Sequence, residues 1–274
     1  MSLVTATAPA QTRRLSVEIG PARLSMTIAG HGRPLVLLHS LLADRSSFDR
    51  VLPALAATHT VYALDLPGFA GSDFAQGGLE AVADRVAAGI QALGLTQPPV
   101  LLGNGYGGFV ALLVAIRHPG LAERLVLADC GAAFSEPGRA AFRGMSAGAA
   151  KGGLAAVADT AMRRLFAPEY QAQHPDLIAA RKESFLALDP QTFHAACAAL
   201  AELDLRRQLA GVRVPTLVLV GEMDEATPPP MSHELVAGLP DAKLVVLPGL
   251  AHVPQLQAPE RFVAPVAAFL GAAS

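Results

Sequence analysis

Six short runs, "PLVLLH", "TVYALD", "PVLLG", "RLVLAD", "PTLVLVG" and "KLVVLPG", are apolar along most of their length. Runs of this kind read as buried strands, and helical patterns such as Leu79 to Leu93 and Phe109 to His118 lie between them. Strands alternating with helices in this way form βαβ units and a mostly parallel sheet with helices on its flanks. Two further runs, "RLSVEIG" and "ARLSMTIAG", are broken at Gly20-Pro21 and read as an opening antiparallel hairpin, which makes eight strands. A last helix is expected to begin near Pro259, because a proline is tolerated in a first helical turn.

The alternation breaks between about Cys130 and Val214. The interval is alanine-rich and helical in pattern, with Gly and Pro punctuation, so residues 132–209 are expected to form a helical cap over one end of the sheet. Residues 1–131 and 210–274 then make up a single α/β core, a size that 274 residues with a 52% hydrophobic fraction can support. No tract is long and apolar enough to cross a bilayer. The opening "MSLVTATAPAQTRR" lacks an apolar stretch after a basic start, so it reads as a frayed tail and not a signal peptide. A net charge of −2 with both signs scattered argues against nucleic-acid or membrane-surface partners and leaves a small molecule as the expected one. Cys130 and Cys197 form no C-x-x-C pair, and no H-E-x-x-H or carboxylate cluster occurs, so a cytoplasmic protein without metal or organic cofactor is expected.

One stretch, "VLLGNGYGGFVALLVAIRHP", admits two chemistries. Gly103, Gly105 and Gly108 spell G-x-G-x-x-G, the phosphate-cradling turn of a dinucleotide site, with Asp129 about 20 residues beyond the turn, where a ribose-binding acid would stand. The same turn is also a nucleophile elbow, G-x-S-x-G, with Gly105 in the serine position. The remainder of the chain favours the elbow. Asp224 follows a strand run ending at Gly221, and His252 lies in the loop after the next strand. Elbow, acid, histidine is the chain order of an α/β-hydrolase triad. A histidine acting as base needs a carboxylate on one ring nitrogen to fix its tautomer and to stabilise the imidazolium it becomes.

Over nearly its whole length the chain resembles the α/β-hydrolase superfamily, and within it the 3-oxoadipate enol-lactone hydrolases. The resemblance is carried by "LVLLHSLLADRSSFD", "YALDLPGFAGSD", the segment from Leu188 to Pro229 and the His252 loop. It implies that His252 is the general base and Asp224 its orienting acid. It also implies that the backbone N–H groups of Leu41 and Tyr106 form the oxyanion hole; the expected substrate is a small ester, lactone or related carbonyl compound, with hydrolysis of an enol-lactone as the form typical of the family. Ser40, in "HS" where "HG" is commoner, matches the lactone-hydrolase pattern; it either hydrogen-bonds substrate or structures its loop.

Gly105 is the departure from the pattern. Glycine suits the strained backbone of the elbow, so the fold is expected to tolerate it, but the hydroxyl is gone. Three explanations stay open: a variant made to trap substrate, a non-catalytic ligand-binding relative, or an enzyme in which His252 and Asp224 activate water or a substrate proton. In the last case the missing side chain is expected to leave room for a water near the imidazole. A natural glycine is preferred, since an engineered knock-out is more often alanine. Arg139 and Arg143 are candidates to clamp a substrate carboxylate. Arg163-Arg164 read as a solvated helix face, Cys130 as a buried inert thiol, and Phe109, Leu112 and Val114 as core.

Overall fold

A computed structural model describes residues 11–271, so most of the N-terminal segment read as a frayed tail lies outside the described residues. All eight expected strands form: β1 Thr12–Ile19, β2 Ala22–Ala29, β3 Arg33–Leu38, β4 His59–Leu64, β5 Val100–Asn104, β6 Arg124–Ala128, β7 Thr216–Gly221 and β8 Ala242–Leu247. They make one sheet in the order β1-β2-β4-β3-β5-β6-β7-β8. β1 and β2 pair antiparallel, as do β2 and β4, and the strands from β4 to β8 run parallel.

The apolar runs are explained by what covers them. Val36, Leu38, Leu101, Leu125, Leu127 and Val218 point into one core layer, which includes α2 (Gly78–Ala92) and α3 (Tyr106–Arg117) after a short α1 (Leu52–Ala56). Leu35, Leu37, Leu102, Val126, Leu217 and Leu219 point into the opposite layer, beneath α1 and the C-terminal helix. Neighbours on a strand face opposite ways, so a strand buried on both faces needs apolar residues in succession.

Between β6 and β7 the chain forms five helices: α4 Glu136–Gly152, α5 Ala158–Leu165, α6 Pro168–Gln173, α7 Pro175–Leu186 and α8 Pro190–Glu202. Their starts are encoded locally. Ser135 caps α4, and Asp189 accepts from the Thr192 N–H at 2.9 Å to cap α8, each with a proline in the first turn. The two ends of this block meet, because the Leu205 N–H donates to the Ala132 carbonyl at 2.8 Å beside a bridge between Ala133 and Asp204. The chain closes with α9 Pro229–Gly238, α10 Pro254–Gln257 and α11 Pro259–Gly271. No helix among the described residues is long and apolar enough to cross a membrane.

Parallel pairing aligns the carboxyl ends of β3, β5, β6, β7 and β8 along one edge. Leu38 lies opposite Gly103, Asn104 opposite Ala128, and Gly221 opposite Leu247. In open α/β sheets the loops leaving such an edge are where ligands bind.

Candidate active site

The β5–α3 turn is the pivot of that edge. Gly105 has φ +53° and ψ −118°, a strained conformation that residues with a side chain rarely adopt. Its N–H donates to the Ala128 carbonyl at 2.9 Å, while the Gly107 N–H donates to the His39 carbonyl at 3.0 Å. The start of α3 is thereby pinned to the ends of β3 and β6. The approach is so close that a Cβ on Gly107 would lie 2.0 Å from the Leu38 carbonyl oxygen. This accounts for α3 beginning at Tyr106 and not at the expected Phe109: the glycines lie inside the first turn because only glycine fits there.

Asp224 and His252 meet beside this turn. The His252 Nδ1–H donates to Asp224 Oδ2 at 2.9 Å. Asp224 also accepts from the Thr227 hydroxyl at 2.6 Å and from the Ala226 and Thr227 N–H groups at 2.8 and 3.1 Å. Burial works against a charge on Asp224, but the facing His252 and the Thr227 bonds outweigh it and hold this carboxyl below the usual carboxylate range. With the proton of the imidazole on Nδ1, Nε2 is left as an acceptor.

That nitrogen faces Ser40. Ser40 Oγ lies 3.4 Å from His252 Nε2, and both are buried. A Cβ on Gly105 would fall 2.6 Å from Ser40 Oγ and 2.7 Å from His252 Nε2, so the space a side chain would need is already taken by these two groups. Ser40 is itself held from behind. The Leu66 N–H donates to His39 Nε2 at 3.1 Å, which leaves His39 Nδ1–H to donate to the Ser40 carbonyl at 2.9 Å. Burial lowers the His39 pKa and favours the neutral ring that this arrangement requires.

A second buried network positions the His252 loop. Asn104 Nδ2 donates to the His252 carbonyl at 2.9 Å and to Asp129 Oδ2 at 3.2 Å, and Gln255 Nε2 donates to Asn104 Oδ1 at 3.0 Å. Asp129 also accepts from the Gly221 N–H at 2.8 Å. It is tied to strand ends and not to the imidazole, so among the described residues Asp224 is the carboxylate partner of His252. Sequence reasoning missed Asn104, Gln255 and the role of His39. The available signals were their places within the elbow, after "HVP" and before Ser40.

A cleft of about 330 Å³ opens over these groups, lined among others by Ser40, Leu41, Tyr106, Phe134, Leu200 and His252. Leu41 and Tyr106, the two residues proposed for the oxyanion hole, both line this cleft. The N–H of Tyr106 belongs to a first helical turn, where N–H groups lack intrahelical acceptors. Phe109 belongs both to the core and to the cleft wall.

The arginine expectations need correction. Arg143 is not among the lining residues; its guanidinium pairs with Glu136 on the exposed face of α4. Arg139 donates to the carbonyls of Phe134, Ala201 and Leu203 and so ties α4 to the end of α8. Arg164, expected in solvent, is half-buried and lines the cleft, with its guanidinium carbon 5.3 Å from the centre of the Phe142 ring. Among the described residues it has no hydrogen bond or ion pair. Cys130 is buried, and its thiol pKa is pushed up by that burial and by the neighbouring carboxylates. No cluster of three or more metal-ligating side chains occurs among the described residues.

Comparison with known proteins gives a consistent assignment. Residues 35–264 match the sequence profile described as the Alpha/beta hydrolase family. A pimeloyl-acyl-carrier-protein methyl ester esterase of Neisseria meningitidis is 35% identical over 249 residues, which covers 85% of this chain and 91% of the relative. The crystal structure of the enol-lactonase from Burkholderia xenovorans superposes with a TM-score of 0.88 at 25% identity, over 94% of this chain and 100% of that one. A thermophilic esterase from Thermogutta terrifontis gives 0.84 at 29% identity, over 95% and 98%.

Proposed function

This chain belongs to the alpha/beta hydrolase family, and from that membership we propose that it hydrolyses a small carboxylic ester or lactone. His252 is the general base, Asp224 fixes its tautomer and stabilises the imidazolium, and the N–H groups of Leu41 and Tyr106 receive the developing oxyanion. Neither a metal nor an organic cofactor is required. Residues 132–209 act as the cap, with the remainder as core, and the cleft between them holds the substrate. The enol-lactonase and the methyl ester esterase among the similar proteins support this choice between ester and lactone chemistry.

The reading is carried by one observation: the 2.9 Å bond from His252 Nδ1 to Asp224 leaves Nε2 facing the cleft beside Gly105. A dinucleotide site finds no support here, because a Cβ on Gly103 would meet backbone at 2.2 Å and one on Gly108 the Cys130 sulfur at 2.7 Å, so these motif glycines are explained by packing. Arg164 narrows the substrate. A half-buried guanidinium that feels the charges of Asp224 and Glu225 but has no carboxylate at ion-pair distance among the described residues, in an otherwise largely apolar cleft, favours esters or lactones that also carry a carboxylate.

The test is a turnover screen of the unmodified protein on esters, enol-lactones and saturated lactones, each with and without a distal carboxylate, alongside His252→Ala. Hydrolysis is expected, strongest for the carboxylate-bearing members, and His252→Ala should reduce it by about 10²–10⁴-fold. Turnover indifferent to His252, or ligand binding with no turnover at high protein concentration, would overturn the proposal.

A further inference from the structure

We propose that Ser40 supplies the nucleophilic hydroxyl that the β5–α3 turn lacks, so that the attacking serine has moved from the turn to the end of β3. The inference rests on the His252–Asp224 reading above and identifies the atom that His252 deprotonates. Three observations carry it. Ser40 Oγ lies 3.4 Å from Nε2, the ring nitrogen that the bond to Asp224 leaves able to accept a proton. Nucleophile–base contacts in unliganded sites are often looser than in the reacting complex. Secondly, Ser40 Oγ lies only 2.6 Å from where a Cβ on Gly105 would be, so the hydroxyl occupies the neighbourhood that a side chain on the turn would otherwise fill. Thirdly, Ser40 lines the cleft, and its carbonyl accepts from the His39 Nδ1–H, which fixes the backbone that carries the hydroxyl.

Other nucleophiles near the site are committed elsewhere. The Thr227 hydroxyl donates to Asp224 at 2.6 Å and lies on the Nδ1 side of the imidazole, 3.3 Å away. The Cys130 thiol is buried against α3, where a Cβ on Gly108 would meet its sulfur at 2.7 Å.

The chemistry closes without any reactant but water. Ser40 Oγ attacks the ester carbonyl carbon as its proton passes to His252 Nε2, and the carbonyl oxygen becomes an oxyanion between the N–H groups of Leu41 and Tyr106. Collapse breaks the bond to the alkoxy group, which leaves with the proton from the imidazolium, and the acyl group stays on Ser40. A water then gives its proton to His252 and attacks the acyl carbon, and Ser40 departs as the hydroxyl. Leu41 follows Ser40 directly, so one oxyanion donor is adjacent to the nucleophile in sequence, as in the elbow arrangement.

The test treats the unmodified protein with an alkyl fluorophosphonate and, separately, with p-nitrophenyl acetate in a rapid-mixing experiment. Adducts are mapped by peptide mass spectrometry. The expected result is one phosphonyl group per chain on the peptide carrying Ser40, a stoichiometric p-nitrophenol burst, and loss of both in Ser40→Ala. Turnover in that variant should fall at least about 10³-fold with an unchanged circular dichroism spectrum. No adduct on Ser40 of the unmodified protein overturns the proposal, and this outcome needs no variant to fold. Turnover lost in His252→Ala but kept in Ser40→Ala, without a burst, would leave the dyad standing and replace Ser40 with water. Turnover insensitive to His252 would instead remove the reading on which this inference rests.

Discussion

At the scale of single residues, Gly105 is not simply a position awaiting its serine. Its φ of +53° costs a residue with a side chain about 1–3 kcal/mol, and a Cβ there would press between Ser40 Oγ and His252 Nε2. Both neighbours are ends of side chains and can give way, so the substitution should fold while separating hydroxyl from imidazole. Gly105→Ala is therefore expected to lower esterase turnover at least about 10²-fold, with a stability loss of only about 1–3 kcal/mol in urea titration. Unchanged turnover in a folded Gly105→Ala protein would show that the Ser40–His252 contact is dispensable. Serine at this position meets the same crowding, so it adds a hydroxyl only at the expense of the one already facing the histidine. The sequence alone shows a missing hydroxyl at Gly105; it cannot show that a second hydroxyl, far away in the chain, has come to the same imidazole.

At the scale of elements, the His252 loop depends on a polar clamp between strand ends. Asn104, at the last position of β5, bonds to the His252 carbonyl, to Asp129 and to Gln255, all of them buried. Asn104→Leu leaves those three groups without this partner, at a cost of about 1–3 kcal/mol for each one left unsatisfied. A loss of about 3 kcal/mol or more in denaturant titration is expected, together with a fall in kcat larger than any change in KM, because the loop that carries His252, the proposed base, is loosened. Wild-type stability in this variant would mean that water or neighbouring groups replace the clamp. The central strands were legible because burial on both faces writes continuous apolar runs, whereas β8, read as a buried strand, lies at the sheet edge with only Leu247 buried; α11 was legible from Pro259. The clamp was not, since a buried asparagine or glutamine is identified by its partners and not by a period along the chain. Arg164 lies between these cases. The buried positions of α5, Ala158, Ala161, Met162 and Leu165, define an apolar face, and Arg164 is three residues from Ala161 at its border. Reading that face residue by residue would have separated Arg164 from the exposed Arg163.

At the scale of the whole molecule, the two acids at the sheet edge make opposite contributions to stability as pH changes. Asp224 is held below its ordinary value of 3.8: burial opposes its charge, but the interaction with His252 and the Thr227 bonds prevail. Its contribution is present above the unfolded value and is lost as pH falls through the depressed folded one. Asp129 is held well above 3.8, first by burial and then by the nearby charge of Asp224, against the bonds from Gly221 and Asn104. A carboxyl of this kind binds its proton more tightly in the folded chain, so its favourable contribution is complete below the unfolded value and fades as pH rises through the raised folded one. In the window that opens above pH 3.8, the Asp129 term therefore makes the fold less stable with increasing pH, while the Asp224 term is nearly flat. Asp129→Asn removes that titration and preserves an acceptor for the Gly221 N–H, and asparagine tolerates the φ of +50° at this position. Groups remote from Asp129 are common to both proteins and cancel in the difference. The stability of the variant relative to the parent should therefore rise as pH increases above 3.8, in urea titrations at fixed ionic strength. Curves that stay parallel across this range would show that Asp129 keeps the same charge folded and unfolded, and that the sheet edge holds two carboxylates where the burial of Asp129 favours only one.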